Sequence, residues 1–298
     1  KAHHRQILSA LVRLPGGEEM QDVLEEAMVG RIADAASATT SASSSSSSSP
    51  SSDLAKGLSS LILARSSFHG STERLERVLA RNAGGSTRAL TSIISRATES
   101  VLSGAVLSPQ ASETTAEAVA ALHFHAQRFG QTLSKEELSE ALKTIFGVLR
   151  SPVLSREATI TAAVCMWALL GVGRSVQDHA MLIAKCTCPS SAPQLRAPSE
   201  SEEEAAIIAA THDFPPFAKL CVLRGSVSLL SPAALTANLA EKDSPVPSWI
   251  LVIDGTIPQL CDTLELATDA HFRFQALLGL VTAVEAAGLA IGVGEASK

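Results

Sequence analysis

Residues 134–150 read SKEELSEALKTIFGVLR, and this stretch decides the fold class. Leu138, Leu142, Ile145, Phe146 and Leu149 recur at the spacing of one helical face. Ser134, followed three residues later by Glu137, supplies a capping box, in which each residue satisfies a backbone N–H that the first turn leaves free. The same logic extends in both directions. After Pro152 a second helix runs through Ile160, Val164, Trp167 and Leu170. Ala162, Cys165, Met166 and Leu169 make its other faces apolar too, so it belongs inside the fold. Phe217, Leu220, Cys221, Leu223 and Val227 mark another helix, ending near Ser231 and Pro232, and Pro232 then opens a shorter one through Leu235 and Leu239. Pro258, Leu260, Cys261 and Leu264, then Phe272 to Val284, give a last pair. No strand-type alternation interrupts the series. The expected fold is all-α, and helices of two to four turns on short connections read as a HEAT or armadillo-like α-solenoid.

Two stretches break the pattern. Residues 36–52 collapse to Ala, Thr and Ser, with seven serines at 43–49, and can bury too little apolar surface to offset their ordering entropy. Residues 186–204 are rich in Pro and Ser and end in Glu200, Glu202, Glu203 and Glu204, which reads as a second loop insertion. The expected organisation is a helical segment at 1–35, a disordered insertion at 36–52, helical repeats at 53–185, a Pro/Ser/acidic loop at 186–204 and further helical repeats at 205–298.

Composition agrees. The 298 residues are 46% hydrophobic but only 3% aromatic with no Tyr, and the small apolar residues that dominate suit close-packed helices. A formal charge of −6 excludes a strongly basic nucleic-acid wrapper, so any RNA contact must be a local patch. The five cysteines (Cys165, Cys186, Cys188, Cys221, Cys261) are odd in number and three sit in apolar runs, as expected of reduced, buried thiols in an intracellular protein. The apolar runs Ile160–Val172 and Leu277–Ala290 are interrupted by Thr, Gly or Glu and read as core helices rather than membrane spans. The opening segment lacks the cleavage pattern of a signal peptide, and the chain reads as part of a longer protein.

The C-terminal third carries a more specific pattern. Phe217–Leu230 (FAKLCVLRGSVSLL) and Ile250–Val284 contain Cys221 with Arg224-Gly225, then Gly255, Ile257, Pro258, Leu260 and Cys261, then Asp269, His271, Phe272, Phe274, Ala276 and Leu277. Over residues 212–288 this resembles the THADA family; residues 118–171 match only in the general style of a helical array. The resemblance implies a cytoplasmic α-solenoid without catalytic chemistry. It implies a partner, an FtsJ-type methyltransferase that methylates a ribose 2′-hydroxyl in the tRNA anticodon loop. Any S-adenosylmethionine would then belong to that partner, with no cofactor of the chain's own, and neither DNA nor a membrane is an implied partner.

A tRNA-handling surface needs cations, because phosphate neutralisation supplies most sequence-independent affinity. Arg74, Arg77 and Arg81 share one helical face, with Arg65, Arg88 and Arg96 flanking them, and residues 65–96 hold six arginines against two glutamates. A solvated face laced by pairs such as Glu73–Arg77 accounts for the same spacing. For Arg224-Gly225 the expected roles are snorkelling or helix-end capping by Arg224 and close helix packing at Gly225. Thr268 or Asp269 is expected to cap the last helix, with His271 bonding back to the preceding loop. His123-x-His125 and Cys186-x-Cys188 offer ligand types at the wrong spacing for zinc, and Gly292-x-Gly294 reads as a turn rather than a dinucleotide loop. No nucleophile, paired-carboxylate or metal constellation stands out.

Overall fold

The computed structural model describes residues 80, 83–151, 155–187, 202–229 and 248–296. Every regular element among them is helical. In chain order these are α1 (Ala83–Leu102), α2 (Pro109–Phe129), α3 (Lys135–Arg150), α4 (Arg156–Gly171), α5 (Val176–Thr187), α6 (Glu202–His212), α7 (Pro216–Ser228), α8 (Ser248–Leu266) and α9 (Ala270–Ala296), with one 3-10 turn at Gly130–Thr132. The chain divides into two compact units, Lys1–Val148 with Val153–Ala158, and Leu149–Pro152 with Thr159–Lys298. The expected segments at 1–35 and 36–52, the beginning of the one at 53–185 up to residue 79, and the expected short helix after Pro232 lie outside the described residues.

Local chemistry explains where the helices begin. Ser134 and Glu137 form the expected box: the Glu137 N–H donates to Ser134 Oγ at 3.2 Å, and the Ser134 N–H donates to Glu137 Oε2 at 3.0 Å. Ser108 caps α2 by accepting from the Ala111 N–H at 3.2 Å, with Pro109 in the first turn where its missing donor costs nothing. Ser155 caps α4 and Ser175 caps α5 in the same way. Between α1 and α2 the chain reverses through Gly104, whose φ of +87° is a left-handed conformation that a side chain would oppose.

In the first unit α1 packs against α2 as a hairpin, and its side chains meet those of α3 in parallel register. The parallel pairing is marked by Ser95 Oγ at 3.2 Å from Thr144 Oγ1, and by Thr98 Cγ2 against Gly147. Leu90, Ile94, Leu122 and Ile145 lose essentially all contact with water.

In the second unit α8 and α9 form an antiparallel hairpin and α7 lies alongside both. Leu220, Leu223, Val227, Leu260, Ala276 and Ala283 make its core, edged by Ile257, Leu264, Phe272 and Leu280. Phe217 tilts onto Phe272 with centroids 5.3 Å apart and Arg224 bonds Gln275, so α7 and α9 run parallel. α5 packs on α6 and on α8. The helix expected to be inner, α4, is buried nearly all round; Trp167 and Leu170 are inside, while Ile160 and Val164 of the same expected stripe are half-buried.

Three sequence expectations are corrected. Cys186 and Thr187 end α5 and Glu202–Glu204 open α6, so the connection is shorter than 186–204 at both ends. Acidic residues in a first turn face the positive end of the helix dipole, which favours helix over loop there. α8 extends back to Ser248 with Pro258 in its interior, where the ring removes one intrahelical donor and crowds the carbonyl four residues back, a cost the surrounding packing offsets. Gly292 and Gly294 lie within α9 rather than in a turn. No described helix is long and apolar enough to cross a membrane.

Candidate functional site

Arg74, Arg77 and Arg81, the centre of the expected cationic stripe, lie outside the described residues, as does Arg65. Arg88 and Arg96 are both exposed on α1, two turns apart. Arg88 does not stand alone: its Nε lies 4.0 Å from Glu137 Oε1, the carboxylate that also closes the α3 cap. The same carboxylate lies over Gly84, where any side chain would collide with it. Glu137 therefore ties the start of α3 to α1, a non-local role that its place in a capping box did not announce.

The residues that carry the family resemblance gather in the second unit. Cys221 is buried in α7, and burial pushes its thiol up to about 12, leaving it protonated and inert. Arg224 is half-buried and reaches across to α9, donating from Nη1 to Gln275 Oε1, in place of the helix-end capping that was one of its two expected roles. Gly225 meets its expectation: an added Cβ would sit 3.3 Å from Trp167 Cδ1 and 3.5 Å from the Ala163 backbone, so glycine lets α7 close on α4. Gly255 is buried in α8, while Pro258 and Cys261 are exposed. Asp269 caps α9 by accepting from the His271 N–H at 2.7 Å; the exposed His271 contributes its backbone. Phe272 packs on the core, but Phe274, two residues on, is 55% exposed.

A second set of groups is perturbed by burial. His125 is fully enclosed in α2, set edge-on to Phe129 at 5.1 Å, and burial lowers its pKa to about 4. Neither of its ring nitrogens has a hydrogen-bond partner among the described residues. His179 lies against Gly171 and tilts onto Trp167 at 6.4 Å; burial, then the Arg174 charge, brings its pKa to about 4. Burial likewise raises Cys165, and it raises Cys186 to about 12 against an opposing bond from Thr211. In each case desolvation leads, favouring the uncharged form. Arg174 is engaged elsewhere, pairing with Glu204 at 2.7 Å.

Pattern reasoning missed an apolar face. Phe274, Leu277, Val281 and Val284 of α9 are all substantially exposed. α9 is apolar on nearly every side, so periodicity alone could not tell which side meets the core. Comparison with family models, with curated proteins and with solved structures finds no match to this chain.

Proposed function

We propose that the chain is part of a non-catalytic, cytoplasmic α-solenoid that regulates an FtsJ-type tRNA 2′-O-ribose methyltransferase. The observation that carries this reading is the meeting of the two resembling stretches in one core. Phe217 and Arg224 of the first reach Phe272 and Gln275 of the second, with Leu220, Leu223 and Val227 packed against Leu260, Ala276 and Ala283. The parallel pairs α1–α3 and α7–α9, each with a returning helix between them in sequence, support the solenoid part of the reading, because stacked repeats place equivalent helices parallel. The mechanism is scaffolding. A rigid helical surface holds the tRNA body while the partner's S-adenosylmethionine meets the target ribose, so that orientation entropy is lost on binding and not at the reaction step. Arg74, Arg77, Arg81, Arg88 and Arg96 are the residues assigned to the tRNA backbone.

A second reading, a protein-binding solenoid with no RNA role, is favoured by the exposed apolar face of α9. Depletion of the protein followed by mapping of anticodon-loop ribose methylation, together with a tRNA pull-down alongside the candidate methyltransferase, separates the two. Loss of the methyl group supports the regulator. Intact methylation with no tRNA bound leaves the protein-binding scaffold.

A further inference from the structure

One side of α9 is apolar, open to solvent and set in the most acidic part of the chain. Phe274, Leu277, Val281 and Val284 follow one another at intervals of three, four and three residues and are 55%, 49%, 46% and 67% exposed, a stripe about 15 Å long at the helical rise. The opposite side of α9 is already committed: Gln275, Ala276, Gly279 and Ala283 are buried, with Gly279 pressed to Leu260 of α8. That contact sets the register of the α8–α9 hairpin. Counting from it toward the turn brings Asp262 about level with Leu277 and Glu265 about level with Phe274, and both acids are exposed. Glu285, also exposed, follows Val284 at the other end of the stripe. Residues 248–296 hold six acidic side chains and one basic one, Arg273, so one-sixth of the chain carries −5 of its net −6.

We propose that this stripe is a docking face for a basic amphipathic helix of a partner protein, whose apolar residues lie on Phe274, Leu277, Val281 and Val284 and whose lysines or arginines meet Asp262, Glu265 and Glu285. Recognition of a helix by an apolar face reads anchors three and four residues apart, which is the spacing of the stripe. Charge selects among the occupants. A second copy would bring one −5 hairpin against another, and tRNA or an anionic lipid surface would meet the same repulsion. A cationic helix gains steering and register from opposite charge. Arg273 offsets a single acid and leaves the face acidic. One helix on four side chains makes a small interface, so the complex is transient, with a Kd on the order of 10 µM that rises with salt. Docking of this kind does not depend on whether the chain also meets tRNA.

The probe is a synthetic helical peptide with leucines at that spacing and lysines flanking them, read by fluorescence anisotropy against the 298-residue chain. Its controls are the same peptide with glutamates in place of the lysines, and a lysine peptide scrambled so that no apolar face forms. The expected result is saturable binding of the lysine peptide at roughly tens of micromolar, weakening several-fold as salt is raised, and no binding of either control. Leu277→Glu and, separately, Val281→Glu should cut the affinity at least about tenfold with helical circular dichroism unchanged, since both side chains face solvent. Asp262→Lys together with Glu265→Lys should erase the preference for lysine over glutamate. Equal binding of the two peptides by the wild type overturns the proposal. So does a lysine peptide that binds the Leu277→Glu and Val281→Glu chains as well as the wild type, and so does no binding up to about 500 µM. Sedimentation of the chain alone, and with neutral phosphatidylcholine vesicles, covers the other occupants. A mass that rises from 31.0 kDa toward twice that value and is held at 31.0 kDa by Val281→Glu overturns the proposal in favour of a second copy. Vesicle binding lost in the same variant overturns it in favour of a lipid surface.

Discussion

The indole Nε1–H of Trp167 donates to the carbonyl of Val222 at 3.0 Å, a buried bond that spans 55 residues of sequence and fastens α4 to α7. Three residues further along α7, Gly225 gives the same ring room to lie flat against the helix. Donor and cradle act on one side chain, so their substitutions should couple.

Trp167→Phe is expected to lose the bond and part of the packing, destabilising the protein by about 2 kcal/mol in urea unfolding. Gly225→Val should cost about 1–3 kcal/mol by overpacking. The double substitution should cost less than the sum, and strict additivity would show that the two sites do not share this contact.

Glu137 serves a cap and an inter-helix contact at once, whereas Ser134 serves the cap alone. Ser134→Ala should cost about 1 kcal/mol. Glu137→Ala should cost more, because the Arg88 approach is lost as well, although that exposed pair adds only a few tenths. Equal costs in thermal melts would reduce Glu137 to its local role.

Acid should weaken the fold through its histidines. His125 and His179 are held neutral with pKa values of about 4, against 6.5 when unfolded. The unfolded chain takes up these protons first as pH falls, so stability is full above pH 6.5 and drains away down to about pH 4. His125→Leu should flatten this limb and raise stability at pH 7 by about 1 kcal/mol, because it replaces an enclosed polar ring whose nitrogens have no partner among the described residues. Urea titrations at pH 7 and pH 5 read both effects; an unchanged acid limb would move the proton uptake to other groups.

Charge reversal of Arg74, Arg77 and Arg81 to Glu should weaken tRNA binding and flatten its dependence on salt, if the stripe meets phosphate. Arg88→Glu should act more weakly, since Glu137 already lies beside that guanidinium. Equal binding by all variants at several salt concentrations would dismiss the stripe.

What could be read in advance followed the range of the interaction. The Ser134–Glu137 box was legible, and the cap of α9 was narrowed to Thr268 or Asp269, because both close within three residues of sequence. Gly225 was legible as a packing position, since a glycine inside an apolar helix usually marks a close approach. The extension of α8 behind Pro258 was hidden, because proline in a sequence reads as a helix start. The partner of Arg224 was hidden for a different reason: Gln275 is 51 residues away, and nothing local distinguishes a guanidinium that snorkels or caps its own helix from one that crosses to another. The exposed side of α9 was hidden by uniform apolarity.

The Arg174–Glu204 ion pair and the bond from Gln259 to the Thr187 carbonyl hold the chain on either side of the connection between α5 and α6. α5 and α6 are each held by a group distant in sequence, so a fluctuation that frays the end of either must also break a contact made by another element, and those ends open together with the part of the fold they touch rather than alone.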